Sequence, residues 1–356
     1  MRSNFAKETG ALVAAFLAGA WRPVPPPLDF SVPDFERIAP RLLPSGAGAL
    51  GWWRARNSEL ESCPAAEQLH QAYRLYRLES SRTRSRIEKV FEVFRTRGIE
   101  PILIKGWAAA RYYPDHGLRP YGDIDICVRK QELQDAERAL LDLGTLRFKV
   151  DLHLGFAKFG VREEEELFTR CRLVNIGQSD VRILCAEDHL RVVCFHLMRE
   201  GAWRPLWLVD VAAALESLPP DFDWKYCLGD KRQAAPLVNA IGLAHELLGA
   251  EVSGIPEAQR TRKTPRWLIP TVLNEWGGPA SSMIGRHNDI PMLTRLQLRK
   301  DLLRGVRHRW PNPIEATITM NGPFNDLPRL PFQIANSVFR LGAFLTHLPR
   351  TWNKYR

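Results

Sequence analysis

From Ala65 to Arg97 the chain holds neither proline nor glycine. Its apolar residues recur at helical spacing: Leu69, Tyr73, Tyr76, Ile87, Val90, Phe91 and Phe94. That pattern predicts one long helix or two in tandem, ended by Gly98. At Pro101 the period changes. Ile102-Leu103-Ile104 is a short apolar run closed by Lys105-Gly106, which reads as a buried strand and a turn. Trp107–Tyr113 gives one or two helical turns, Pro114–Gly122 a loop, and Ile124–Val128 a second strand. Residues 130–143 read as a helix with Leu133, Ala136, Leu140 and Leu141 on one face, closed by Gly144. Phe148–His153 alternates as a third strand. Beyond 160 the chain turns mostly helical.

A small sheet between helical flanks is an α+β arrangement. Four regions follow: an N-terminal helical region (1–98), an α/β core (99–160), a helical subdomain completing a cleft (161–250), and a basic, Trp/Pro-rich helical region (251–356). In the first, residues 5–20 read as a helix. A proline-rich linker comes next, then a short helix to about Leu43 and a loop over Gly46–Gly51. In the third, helices are expected over Glu187–Arg199, Trp207–Leu218 and 233–249. In the fourth, a basic helix is expected around 293–309 and an amphipathic one near 332–347.

Charge divides the chain. Residues 251–356 carry 16 Lys+Arg against 7 Asp+Glu, whereas residues 1–250 carry 34 against 33. A neutral body with a basic end argues against a uniformly basic nucleic-acid coat. It suggests a local surface for RNA or another anionic partner. There Trp267, Trp276, Trp310 and Trp352 interleave with Arg and Lys, a pattern that suits base stacking or core packing. The six cysteines contain no Cys-x-x-Cys pair and lie mostly in apolar runs, as reduced core thiols do. Ala18-Gly19-Ala20 resembles a processing site, but Glu8 and Gly10 interrupt the region, so a buried first helix and a cytoplasmic location are expected. The run Ala11–Trp21 is too short to span a bilayer.

Asp123-Ile124-Asp125 carries the chemistry. Residues i and i+2 of a strand share a face, so the two carboxylates project together with Ile124 and Ile126 turned away. Such a pair suits Mg²⁺ and can bridge two ions about 3.5–4 Å apart. About one Asp-x-Asp arises by chance in a chain of this length, and Asp221-Phe222-Asp223, after Pro219-Pro220, reads as a solvated loop. Context lifts the first copy. The Lys105-Gly106 turn with a helix behind it offers N–H groups to phosphate, and Lys105 and Arg119 add positive charge. Asp151 follows a crossover helix and can lie beside the pair, with His153 on its face. Arg119 also suits a loop-bracing role. His153 reads as a supporting histidine rather than a ligand. His196 and Asp210, in apolar helical runs, read as buried polar groups that satisfy one another or nearby backbone. Arg199 and Arg204 could reach phosphate but read as surface residues.

Lys105-Gly106, Tyr112-Tyr113, Gly117-Leu118-Arg119-Pro120, Gly122-Asp123-Ile124-Asp125 and Asp151-Leu152-His153 resemble the bacterial uncharacterised nucleotidyltransferase family of the DNA polymerase β-like superfamily. The likeness continues through Glu187-Asp188-His189-Leu190, Phe195-His196-Leu197 and Pro205–Asp210, covering about residues 85–250. It implies a polymerase β-like nucleotidyltransferase core. It also implies Asp123 and Asp125 as catalytic metal ligands, Asp151 as the third acid, and Lys105, Gly106 and Arg119 around a triphosphate. Two departures stand out. Gly106-Trp107 replaces the superfamily's usual Gly-Ser, and residues 144–151 are short where relatives have a longer excursion.

The expected reaction moves an NMP from an NTP to a hydroxyl acceptor (a small molecule, sugar or peptide in biosynthetic tailoring) with two Mg²⁺ ions, Mn²⁺ able to substitute, and pyrophosphate released. Alternatives are the same chemistry on tRNA as a toxin, a phosphotransferase with the same ligands, and a non-catalytic nucleotide-binding relic.

Overall fold

The computed structural model describes residues 2–144, 149–154, 163–257, 263–279 and 310–352. Their α-helices, in chain order, are α1 (Arg2–Leu17), α2 (Val32–Leu42), α3 (Gly48–Ala55), α4 (Pro64–Thr96), α5 (Trp107–Ala110), α6 (Leu133–Asp142), α7 (Glu164–Arg170), α8 (Ala186–Arg199), α9 (Pro205–Glu216), α10 (Trp224–Leu228), α11 (Lys231–Leu248), α12 (Leu268–Trp276), α13 (Pro313–Thr319) and α14 (Leu330–Trp352). The strands are β1 (Ile102–Leu103), β2 (Ile124–Val128), β3 (Val150–Leu154), β4 (Arg172–Ile176) and β5 (Ser179–Ile183). The expected α+β class with one small mixed sheet holds.

The proline- and glycine-free stretch is one helix of 33 residues, α4, which Pro64 opens at a position where its missing N–H costs nothing. Its C-terminal half buries Ile87, Val90, Phe91 and Phe94 against one face of the sheet. Each buried apolar side chain of that size contributes about 1.5–3 kcal/mol.

The strands lie in the order β3-β2-β1-β5-β4. β1 is antiparallel to β2 and parallel to β5, while β2 and β3 are parallel. Alternation sorts the side chains. Leu103, Ile124, Ile126 and Val128 face α4 and α6, whereas Ile102, Ile104 and Cys127 face α7 and α8 through Leu167, Phe168 and Val192. The second face also bears Asp125 and, across the β2–β3 pairing, Asp151 and His153. Helices α8, α9 and α11 pack together beyond that face, and their apolar residues join those of α1–α3 in the largest core. Gly10 lets α1 meet α12 closely, since a Cβ there would lie 1.9 Å from the Leu273 carbonyl oxygen.

Three expectations are corrected. Residues 172–183, expected in a mostly helical stretch, form the β4–β5 hairpin, because Val174, Ile176, Val181 and Ile183 alternate around a Gly177-Gln178 turn. Gly46–Gly51, expected as a loop, runs into α3, whose Ala49 and Leu50 are fully buried. Leu141, expected on the inner face of its helix, is 71% exposed; Ala136 and Ala139 are the buried residues of α6. Trp276 is core, its indole donating to the Ala202 carbonyl, while Trp310 is exposed. The basic helix expected around 293–309 and Phe148 lie outside the described residues. Among the described residues no helix is long and apolar enough to cross a membrane, and no cysteine is disulfide-bonded.

Candidate active site

The parallel register of β2 and β3 pairs Asp125 with Asp151, and Cys127 with His153. Paired residues share a face, so Asp125, Asp151 and His153 converge. The His153 Nε2 lies 2.9 Å from Asp125 Oδ1 and 3.7 Å from Asp151 Oδ2. Lys105 Nζ donates to the same Asp125 oxygen at 3.2 Å. Asp125 is buried, whereas the Asp151 side chain is 69% exposed. Burial pushes the Asp125 carboxyl up. The His153 hydrogen bond and the Lys105 charge outweigh it and hold the group below its ordinary value.

Ligand atoms of Asp125, Asp151 and His153 lie within 4.8 Å of one another, and this is the one such group among the described residues. Asp123 lies outside it. It sits one residue before β2, exposed, on the wall of the same cleft. His153, expected behind the carboxylates, has its Nε2 beside their oxygens because its strand position matches that of Asp151 two residues earlier.

The Lys105-Gly106 turn is built as expected in its backbone. Gly106 has φ +60° and ψ −107°, a backbone conformation that side chains rarely adopt, so the turn favours glycine. The helix behind it is the shorter of the two lengths expected, a single turn. α5 has four residues, which leaves little macrodipole to face a phosphate.

Arg119 reaches the cleft wall, but its guanidinium is committed. Nε lies 3.2 and 3.3 Å from the two Asp210 oxygens, and Nη2 is 3.0 Å from Oδ2. Both side chains are enclosed, and Tyr113 donates to the same carboxylate at 2.8 Å. The contacts of Arg119 are those of a brace between the loop before β2 and α9. Although burial opposes it, Asp210 raises the guanidinium's hold on its proton. Asp210 is therefore satisfied by Arg119 and Tyr113 rather than by His196. His196 instead meets Trp207 edge-on at 4.6 Å between ring centres. Burial first, then Lys105 and Arg119, lowers the His196 imidazole to about 3, so it is neutral at physiological pH.

These residues open onto a cleft of about 720 Å³ between the sheet and the helical layer. Lys105, Gly106, Arg119, Asp123, Asp125, Asp151 and His196 line it, together with Arg204 and with two residues that the sequence did not point to, Trp203 and Trp207. Arg204 was expected at the surface. Its signal in the sequence was the nearby tryptophans, whose ring centres lie 5.2 and 5.3 Å from its guanidinium carbon. The cleft therefore joins a carboxylate–imidazole cluster, a lysine and an arginine over aromatic rings, a set suited to a polyanionic substrate held with a cation.

A family model described as uncharacterised nucleotidyltransferase matches residues 48–149 and 146–249. No curated protein and no solved structure matches the chain.

Proposed function

Because the chain belongs to the uncharacterised nucleotidyltransferase family, we propose that it transfers a nucleoside monophosphate from an NTP to a hydroxyl acceptor. The observation that carries this reading is the register that sets Asp125 against Asp151 with His153 beside them. Two carboxylates and an imidazole with ligand atoms within 4.8 Å fit a divalent cation. Asp125, Asp151 and His153 would hold it, with Asp123 at the cleft wall; magnesium is the ion we assign, and manganese a substitute. Once bound, such a cation offsets phosphate charge and makes an acceptor hydroxyl easier to deprotonate.

The remaining work falls to the chain. Asp151, open to solvent, receives the acceptor's proton. The acceptor oxygen bonds to the α-phosphorus as the bond to the bridging oxygen breaks, and pyrophosphate leaves in line. Lys105, beside Asp125, supplies positive charge to the phosphates. Arg119, through Asp210, fixes the loop that carries Asp123. The helical layer bounds the acceptor's side of the cleft, and a small molecule, sugar or peptide of a biosynthetic route is the acceptor class we assign. Dependence on NTP implies a cytoplasmic setting.

The test is incubation with α- or γ-³²P-labelled NTPs, divalent cation and host extract. A product labelled from the α-phosphate, and lost with Asp125→Asn, is expected. Transfer of γ-label alone would make the protein a phosphotransferase and overturn the reading.

A further inference from the structure

One cation of the cleft has no acid at ion-pair distance among the described residues, although Asp210 and Asp123 act on it from further off. Lys105 pairs with Asp125 and Arg119 with Asp210. Arg204, the residue before α9, donates from Nε to the Ser45 carbonyl at 3.2 Å and has no carboxylate within ion-pair distance among the described residues. Its guanidinium carbon lies 5.2 Å from the Trp203 ring centre and 5.3 Å from that of Trp207. Two indoles and one carbonyl thus fix the plane of the group, and its terminal nitrogens make no hydrogen bond to the described chain. It lines the same cleft as Asp123, Asp125 and Asp151.

A half-buried charge with no paired carboxylate is costly to keep. Burial, and then repulsion from Arg119, already pushes the guanidinium toward losing its proton. Such a group is retained where a mobile anion completes it. A planar fork with free terminal nitrogens matches phosphate oxygens in a way that a lysine ammonium does not.

We propose that Arg204 binds the β- and γ-phosphates of the NTP and hence the departing pyrophosphate, the role for which the sequence suggests Arg119. This rests on the NTP reading of the cleft and adds a residue to it. Arg204 and Lys105 would flank the polyphosphate, while the carboxylates take the cation.

The test measures equilibrium binding of pyrophosphate, ATP and AMP, each with Mg²⁺, by calorimetry on the wild type, Arg204→Met and Arg204→Lys. Thermal midpoints of the ligand-free proteins are recorded alongside. Arg204→Met is expected to weaken pyrophosphate and ATP at least about tenfold and AMP less than about twofold. Arg204→Lys should fall between. The ligand-free midpoint of Arg204→Met should equal or exceed the wild type's, because an uncompensated charge has been removed. Undiminished pyrophosphate binding in a folded Arg204→Met protein would sink this inference and leave the NTP reading intact. So would equal losses for AMP and pyrophosphate, or a midpoint that falls together with affinity, since either marks a structural brace. A wild type that binds neither pyrophosphate nor ATP overturns the NTP reading and this inference with it.

Discussion

The chain contains the same tripeptide pattern in two places with opposite outcomes. Asp123-Ile124-Asp125 leads into β2, where a parallel neighbour brings a third acid into register and Lys105 and His153 close on the buried carboxylate. Asp221-Phe222-Asp223 leads into α10, where Asp223 accepts the Tyr226 N–H at 2.9 Å as a helix cap and Asp221 stays exposed. Two carboxylates at i and i+2 do not make a site. What sets the first copy apart is a neighbouring strand that adds further donor atoms and a cleft onto which they open.

Substitutions sharpen that contrast. Asp125→Asn should lower nucleotidyl transfer about a thousandfold, equivalent to about 4 kcal/mol of transition-state stabilisation, with the circular dichroism spectrum unchanged. Residual activity within tenfold of wild type would erase the difference between the copies. Asp210→Ala, outside both copies, leaves Arg119 enclosed without its counter-charge and should cost about 3 kcal/mol or more in urea unfolding. Asp223→Ala removes a cap and should cost about 1 kcal/mol in the same assay while transfer stays unchanged. Asp221→Ala should move stability by less than about 0.5 kcal/mol.

Acid separates the helical layer from the sheet. Burial lowers the His189 imidazole to about 3, with Arg111 and Arg119 adding to it, and neither ring nitrogen has a partner among the described residues. The unfolded chain therefore takes up a proton near pH 6.5 that the folded chain refuses until about pH 3. Stability should fall as pH drops through that window. The depressed Asp125 carboxyl adds its own loss only below its unfolded value of 3.8. Thermal midpoints from pH 7 to pH 4 should decline less steeply in His189→Leu; an identical slope would show that another group sets it.

The local elements were legible because their causes are local. α4 follows from an unbroken helical period, and β2 from five apolar-flanked residues beside a glycine turn. Asp125 and Asp151 could be brought together on paper because strand alternation and a crossover helix are both sequence features. Arg119 could not be assigned, since its partner Asp210 is 91 residues away in sequence. The β4–β5 hairpin was masked by Asn175, Asp180 and Arg182 at its outward positions and by Arg172 at its first, although the Gly177-Gln178 turn was there to be read. The place of Arg204 depends on Ser45, on two indoles and on the lack of an ion-paired acid among the described residues, none of which a pattern reports.

β3 stands at the end of the strand order, so one side of it lacks a strand partner among the described residues. A bare sheet margin is a template for unwanted pairing with a second chain, and a solvent-facing charge is a common safeguard. Asp151, 69% exposed on that margin, meets the requirement at the same position that gives the cleft its acid. Like charges opposite one another also weaken strand pairing, so Asp151 loosens the outermost strand even as it shields it. Neutralising that one carboxylate would tighten the margin and make it stickier at once, which ties the chain's solubility to an acid that lines the cleft.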